Sequence, residues 1–139
     1  MKNIKRIIIP VDNSEVSKEV VEEGVYLAKV LGVNAKIITV NDTHQFISSV
    51  VLEDKLKKKT DAFLNDFKKI AEKFGVMIET QLITGKPADE IIKFVREDDL
   101  IIMAHHNRTK GLSGSIEKSV SREVVQRAPC SVLVLKSKT

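Results

Sequence analysis

Hydrophobic and polar positions along the chain fall into two alternating patterns. Residues 4–11 are an almost unbroken β-branched run (Ile4, Ile7, Ile8, Ile9, Val11), as a strand buried on both faces requires. Ser14 is then a good N-cap. Val16, Val20, Val21, Gly24, Val25, Leu27, Ala28 and Leu31 recur at helical spacing up to Gly32, which sits where a glycine ends a helix. Residues 35–40 predict a second buried strand and 41–46 a loop. A long amphipathic helix follows over about residues 49–74. Leu52, Leu56, Phe63, Phe67, Ile70 and Ala71 face inward, and Lys55, Lys57, Lys58 and Lys59 form a solvated outer face. Gly75 stops it, and residues 76–83 alternate as a third strand. Pro87 opens a helix running to about residue 97, and 100–104 form a fourth strand. A Gly/Ser/Lys loop over 108–115, a helix over 116–127 and a fifth strand over 131–135 complete the chain.

Strand and helix therefore alternate from end to end. The fold class expected is α/β: a single domain, residues 1–139, with an open five-stranded parallel sheet and helices on both faces. The order 3-2-1-4-5, flavodoxin-like or Rossmann-like, brings strand 1 beside strand 4. That adjacency makes a switch point, and open α/β sheets bind ligands there, outside the carboxyl ends of the strands. The ends concerned are Val11-Asp12 and Ala104-His105-His106.

Composition narrows the setting. Of 139 residues, 42% are hydrophobic and 30% charged, and no apolar run approaches the roughly 20 residues that span a bilayer. The single cysteine, Cys130, excludes an intrachain disulfide, and a reduced cytoplasmic setting is expected. The net charge is +4, and from Ala104 onward seven basic residues face two acidic ones. Such a region suits an anionic ligand or surface, or is a solvated basic face. One Tyr, five Phe and no Trp argue against a base-stacking nucleic-acid platform. Neither nucleic acid nor membrane is expected as a partner.

Four segments then carry a resemblance. They are Ile7-Ile8-Ile9-Pro10-Val11-Asp12-Asn13-Ser14-Glu15, Gly85-Lys86-Pro87-Ala88-Asp89-Glu90-Ile91, Asp99-Leu100-Ile101-Ile102-Met103, and Arg127-Ala128-Pro129-Cys130-Ser131-Val132-Leu133-Val134-Leu135. In this order and spacing they resemble the universal stress protein family over essentially the full chain. The resemblance implies a stress-response binding module, not an enzyme, with any ATP hydrolysis slow and secondary. It implies ATP or a related adenine nucleotide as ligand, with Mg only if the nucleotide carries it, and a homodimer paired through Val132, Leu133, Val134 and Leu135 of strand 5.

Nucleotide-binding members of that family resemble one another in a G-x-x-G, nine-residue, G-(S/T) cradle after strand 4. Glycines there let backbone N–H groups approach phosphate oxygens. This sequence has Ala104, Asn107 and Lys118 at the glycine positions, with ten residues between the last two, and keeps the hydroxyl at Ser119. Gly111 or Gly114 could supply the flexible positions instead. The candidate nucleotide residues are Pro10, Val11, Asp12, Val40, Ala104, His105, His106, Asn107, Arg108, Lys118, Ser119 and Val120. Asp12 would meet the base or ribose, Val40 would offer backbone groups to the adenine edge, and Asn107, Arg108, Lys118 and Ser119 would meet phosphates.

Other chemistry is poorly supplied. Adjacent His105 and His106 point to opposite sides of an extended backbone, so they cannot chelate one metal; no metal site is expected. They suit rings lining the phosphate end that titrate near neutrality. Cys130, entering a strand expected to be buried, reads as an inert packing residue, and no catalytic residue is assigned. The alternative to nucleotide sensing is a nucleotide-free protein–protein adaptor that presents the basic region to an acidic partner.

Overall fold

The structure is a computed structural model, described over residues 3–11, 15–42, 50–105 and 114–136. Its elements are β1 (Arg6–Val11), α1 (Glu15–Leu31), β2 (Asn34–Asp42), α2 (Val50–Lys73), β3 (Ile78–Gly85), α3 (Pro87–Phe94), β4 (Asp99–His105), α4 (Gly114–Arg127) and β5 (Ser131–Lys136). The strands form one sheet in the order β3-β2-β1-β4-β5, every neighbouring pair parallel. The expected α/β architecture and strand order are therefore those observed.

The β-branched run explains why β1 is central. Its side chains alternate between two cores, and Ile7, Ile8 and Ile9 are all fully buried. Ile7, Ile9 and Val11 join Ala35, Ile37, Leu100 and Ile102 beneath Val21 and Val25 of α1 and Leu64 and Phe67 of α2. Ile8 joins Ile38, Ile101 and Met103 on the opposite face, beneath Ile91 of α3 and Val124 of α4. Helix α1 lies close on the sheet at Gly24, where a Cβ would come within 2.5 Å of Ile9 Cδ1. The glycine makes that approach possible.

Two helices stop by the same device. Gly32 and Gly75 adopt φ of 69° and 67°. The N–H of the next residue, Val33 or Val76, reaches back to the carbonyl of Ala28 or Ala71 at 3.0 Å. This left-handed cap satisfies carbonyls that a helix end leaves free, and both valines tuck against the core.

Element limits depart from the sequence expectation where polar contacts decide. β2 runs on through Asn41 and Asp42, expected to be loop, because β3 pairs with it to Asp42–Gly85. β3 itself starts at Ile78 instead of residue 76, since the cap at Gly75 uses Val76 in the turn. α3 stops at Phe94, short of residue 97, with Val95 extended; the Asp99 carboxylate takes the Arg96 N–H at 2.8 Å. α4 starts at Gly114, inside the span expected to be a loop.

Asp99 does more than end α3. Arg6 donates to it through Nε at 2.8 Å and Nη2 at 2.9 Å, a two-pronged pair between the first register partners of β1 and β4. The Asp99 side chain is 1% exposed and that of Arg6 20%. Phe94 lies against the guanidinium, 5.0 Å from its ring centroid. A second ionic contact joins α3 to α4: Arg127 donates to Asp89 at 2.9 Å and to Glu123 at 3.1 Å. The hydrogen bond from Arg127 holds the Asp89 carboxyl below its usual range.

Removing Arg6 leaves Asp99 buried without its counter-charge, and removing Asp99 leaves a half-buried guanidinium unpaired. Arg6→Leu or Asp99→Leu is expected to lower stability in urea unfolding by about 3 kcal/mol, whereas Arg6→Leu/Asp99→Leu together should recover a large part of that loss. Two additive single losses would show that the residues act independently.

Candidate functional site

The β ladders mark where the sheet opens. β1 pairs with β2 through to Val11–Thr39, and β4 with β5 through to His105–Lys136. Between β1 and β4, in contrast, pairing among the described residues covers Arg6–Ile8 against Asp99–Ile101. Pro10 has no N–H to give to a neighbouring strand, and the two chains then leave toward opposite faces, into α1 and α4. The strand order makes the carboxyl ends of β1 and β4 the switch point, where open α/β sheets form their crevice.

Pro10 and Val11 end β1, Val40 stands near the end of β2, and Ala104 and His105 end β4. Val11 is buried; Pro10, Val40 and Ala104 are half-buried. Val11 and Ala104 belong to the core under α1 and α2, whereas Val40 packs on the opposite core. These five candidates are brought to the same end of the sheet. Asp12, His106, Asn107 and Arg108 lie outside the described residues, as do Gly111 and the expected N-cap Ser14.

The remaining candidates sit on α4. Because that helix starts at Gly114, Lys118 and Ser119 are in its second turn, while the N–H groups left free by helix geometry belong to residues 114–117. The backbone donors available to an anion are thus displaced from Lys118-Ser119 toward Gly114-Ser115. Val120 is half-buried against the core shared with α3 and is largely a packing residue.

One polar atom in this region went unnoticed in the sequence. Thr39, opposite Val11 in register, has a buried Oγ1 with no hydrogen-bond partner. Its signal was a lone hydroxyl in the apolar run Ile37-Ile38-Thr39-Val40. Burial of an unsatisfied hydroxyl costs free energy, so this one invites a partner.

Cys130 does not enter a buried strand: β5 is an edge strand with alternating exposed and half-buried residues, and Cys130 itself is half-buried. The inert reading nevertheless has a physical basis. Burial pushes its thiol above the usual range, and the Asp99 charge pushes it further. Among the described residues no three His, Cys, Asp or Glu side chains are grouped to hold a metal ion, and no helix is long and apolar enough to cross a membrane.

An open parallel sheet with a crevice at its reversal point defines a class of ligand-binding α/β domain. Comparison with known proteins makes it specific. Residues 3–136 match the family model described as the Universal stress protein family. The chain is 35% identical over 140 residues to a universal stress protein of Methanocaldococcus jannaschii, covering 95% of this chain and 82% of that one. It has the fold of a universal stress protein solved in complex with cAMP (TM-score 0.72, 22% identity, 94% and 96% of the two chains covered). It likewise has the fold of the Archaeoglobus fulgidus universal stress protein in complex with dAMP (TM-score 0.66, 22% identity, 96% and 98% covered). The chain belongs to the universal stress protein family.

A protonated thiol reacts slowly. Alkylation of Cys130 by iodoacetamide at neutral pH should be slower than that of free cysteine, rising only on the alkaline side of the free thiol's range. A neutral-pH rate equal to or above that of free cysteine would show an activated sulfur.

Proposed function

We propose that this universal stress protein is an adenine-nucleotide-responsive binding module that works as a homodimer and changes partner or state when its β1/β4 crevice is filled. The observation that carries the reading is the strand order, which sets β1 beside β4 while the helices that follow them, α1 and α4, lie on opposite faces of the sheet. Two further features support it. Pro10, Val11 and Val40 are apolar residues at or near the carboxyl ends of β1 and β2, and Thr39 Oγ1 is a buried polar atom in want of a partner. Proteins of the same fold have been solved with cAMP and with dAMP.

In this reading Asp12 accepts from the base or ribose, and backbone groups near Val40 meet the adenine edge. Asn107, Arg108, Lys118 and Ser119 meet phosphate oxygens, with His105 and His106 nearby. Ala104 keeps the strand end small. A bound nucleotide supplies charge and shape here; any hydrolysis is slow and secondary, because the candidate residues include no clear general base or Mg²⁺-binding carboxylate near the phosphates.

Thermal unfolding tests the ligand. ATP, ADP or AMP at about 100 times its dissociation constant should add about 2.7 kcal/mol, a shift of several degrees in Tm. Lys118→Gly separates two roles for that lysine: weaker binding means that it supplies charge, tighter binding that it obstructs. The adaptor reading is favoured by lysine standing where nucleotide-binding relatives have glycine, and absence of any shift with millimolar nucleotide would establish it over the first.

The dimer rests on β5. It lies at the sheet edge, pairs with β4 on one side, and leaves Leu133 40% exposed. An apolar edge with unpaired backbone groups is a template for a second strand. Light scattering should give a dimer for the wild type and a monomer for Val134→Asp; a wild-type monomer at high micromolar concentration would remove the proposal.

A further inference from the structure

At the other end of the sheet, where β1, β2 and β3 begin, the loops enclose a second concavity of about 280 Å³. Its lining includes four basic side chains, Lys5, Arg6, Lys36 and Arg96, and three acidic ones, Glu79, Asp98 and Asp99. The two signs do not cancel evenly in space. Asp99 is fully engaged by Arg6 and by the Arg96 N–H, and its side chain is 1% exposed. Glu79 and Asp98 turn outward, with side chains 81% and 41% exposed.

Lys36 is the unusual member. Its side chain is 19% exposed, and its ammonium sits over the Phe94 ring, 5.0 Å from the centroid. Glu79 pairs with it across 3.6 Å through a carboxylate that is itself exposed, an ion pair longer than a hydrogen bond. An ammonium has three donors and pays a desolvation cost when held against an aromatic face, so it favours an acceptor from the pocket. Arg96 is exposed at the rim and adds a guanidinium fork able to grip an oxyanion. Met77, exposed just before β3, supplies an apolar side chain at the pocket's edge.

We propose that this amino-end pocket binds a small organic anion, its phosphate or carboxylate group between Lys36 and Arg96 and its carbon body against Met77. The site is separate from the nucleotide crevice, since β1 alone places about 17 Å between Arg6 and Val11, and it does not depend on whether that crevice holds a nucleotide.

Amide NMR at constant ionic strength tests this on the full chain. Inorganic phosphate and malonate are titrated separately. Either should move the amides of Lys36, Met77 and Arg96 in a saturable way, and the tighter of the two identifies the oxyanion class. Lys36→Met keeps the stem over Phe94 and should weaken binding roughly tenfold, the worth of one charge-assisted contact. Glu79→Gln removes a competing carboxylate and should tighten it several-fold. Arg96→Gln, at an exposed position, gives a second reading if Lys36→Met fails to fold. Absence of saturable shifts with both anions, or shifts unchanged in Lys36→Met or in Arg96→Gln, would overturn the proposal.

Discussion

The Arg6–Asp99 pair is the constraint on which the arrangement of this sheet rests. It joins the first residues of β1 and β4, strands separated by most of the chain, and it is shielded by Phe94. Hydrophobic burial alone would accept several offsets between two strands made of Ile, Leu and Val, since a slip of two residues keeps the same faces inward. A two-pronged bond between a buried carboxylate and a half-buried guanidinium does not accept them. The same carboxylate takes the Arg96 N–H, so the end of α3, the start of β4 and the register of the sheet's centre are fixed by one side chain.

With the amino ends locked together, the carboxyl ends are where β1 and β4 can part. The alternation of core faces continues to Val11 and Met103, but the described pairing of the two strands does not. The switch point and the locked end are thus two outcomes of one topology.

Much of this was legible in the chain. Ile7-Ile8-Ile9 announced a strand buried on both faces, and Gly32 and Gly75 marked helix ends at the residues where left-handed caps occur. Strand order followed from alternation and handedness. The errors came where a polar contact between distant residues outweighs local pattern. Nothing near Phe94 says that Asp99 will capture the Arg96 N–H and end α3 early. The start of α4 at Gly114 could not be read either, because Ser113, Gly114 and Ser115 suit a loop as well as a helix start. Topology alone placed Val11, Ala104 and His105 at the carboxyl ends of β1 and β4, and that is where these strands end. Thr39 was missed because a single hydroxyl in an apolar strand does not distinguish a packed core position from one that lacks a partner.

The placement of the Arg6–Asp99 lock has an evolutionary corollary. Because the charges that align the central strands sit at the end remote from the crevice, substitutions in the connections above β1 and β4 leave the sheet's alignment intact. A lineage could vary those connections freely and still inherit a foldable scaffold. Divergence of ligand preference within such proteins then needs no compensating change in the sheet itself.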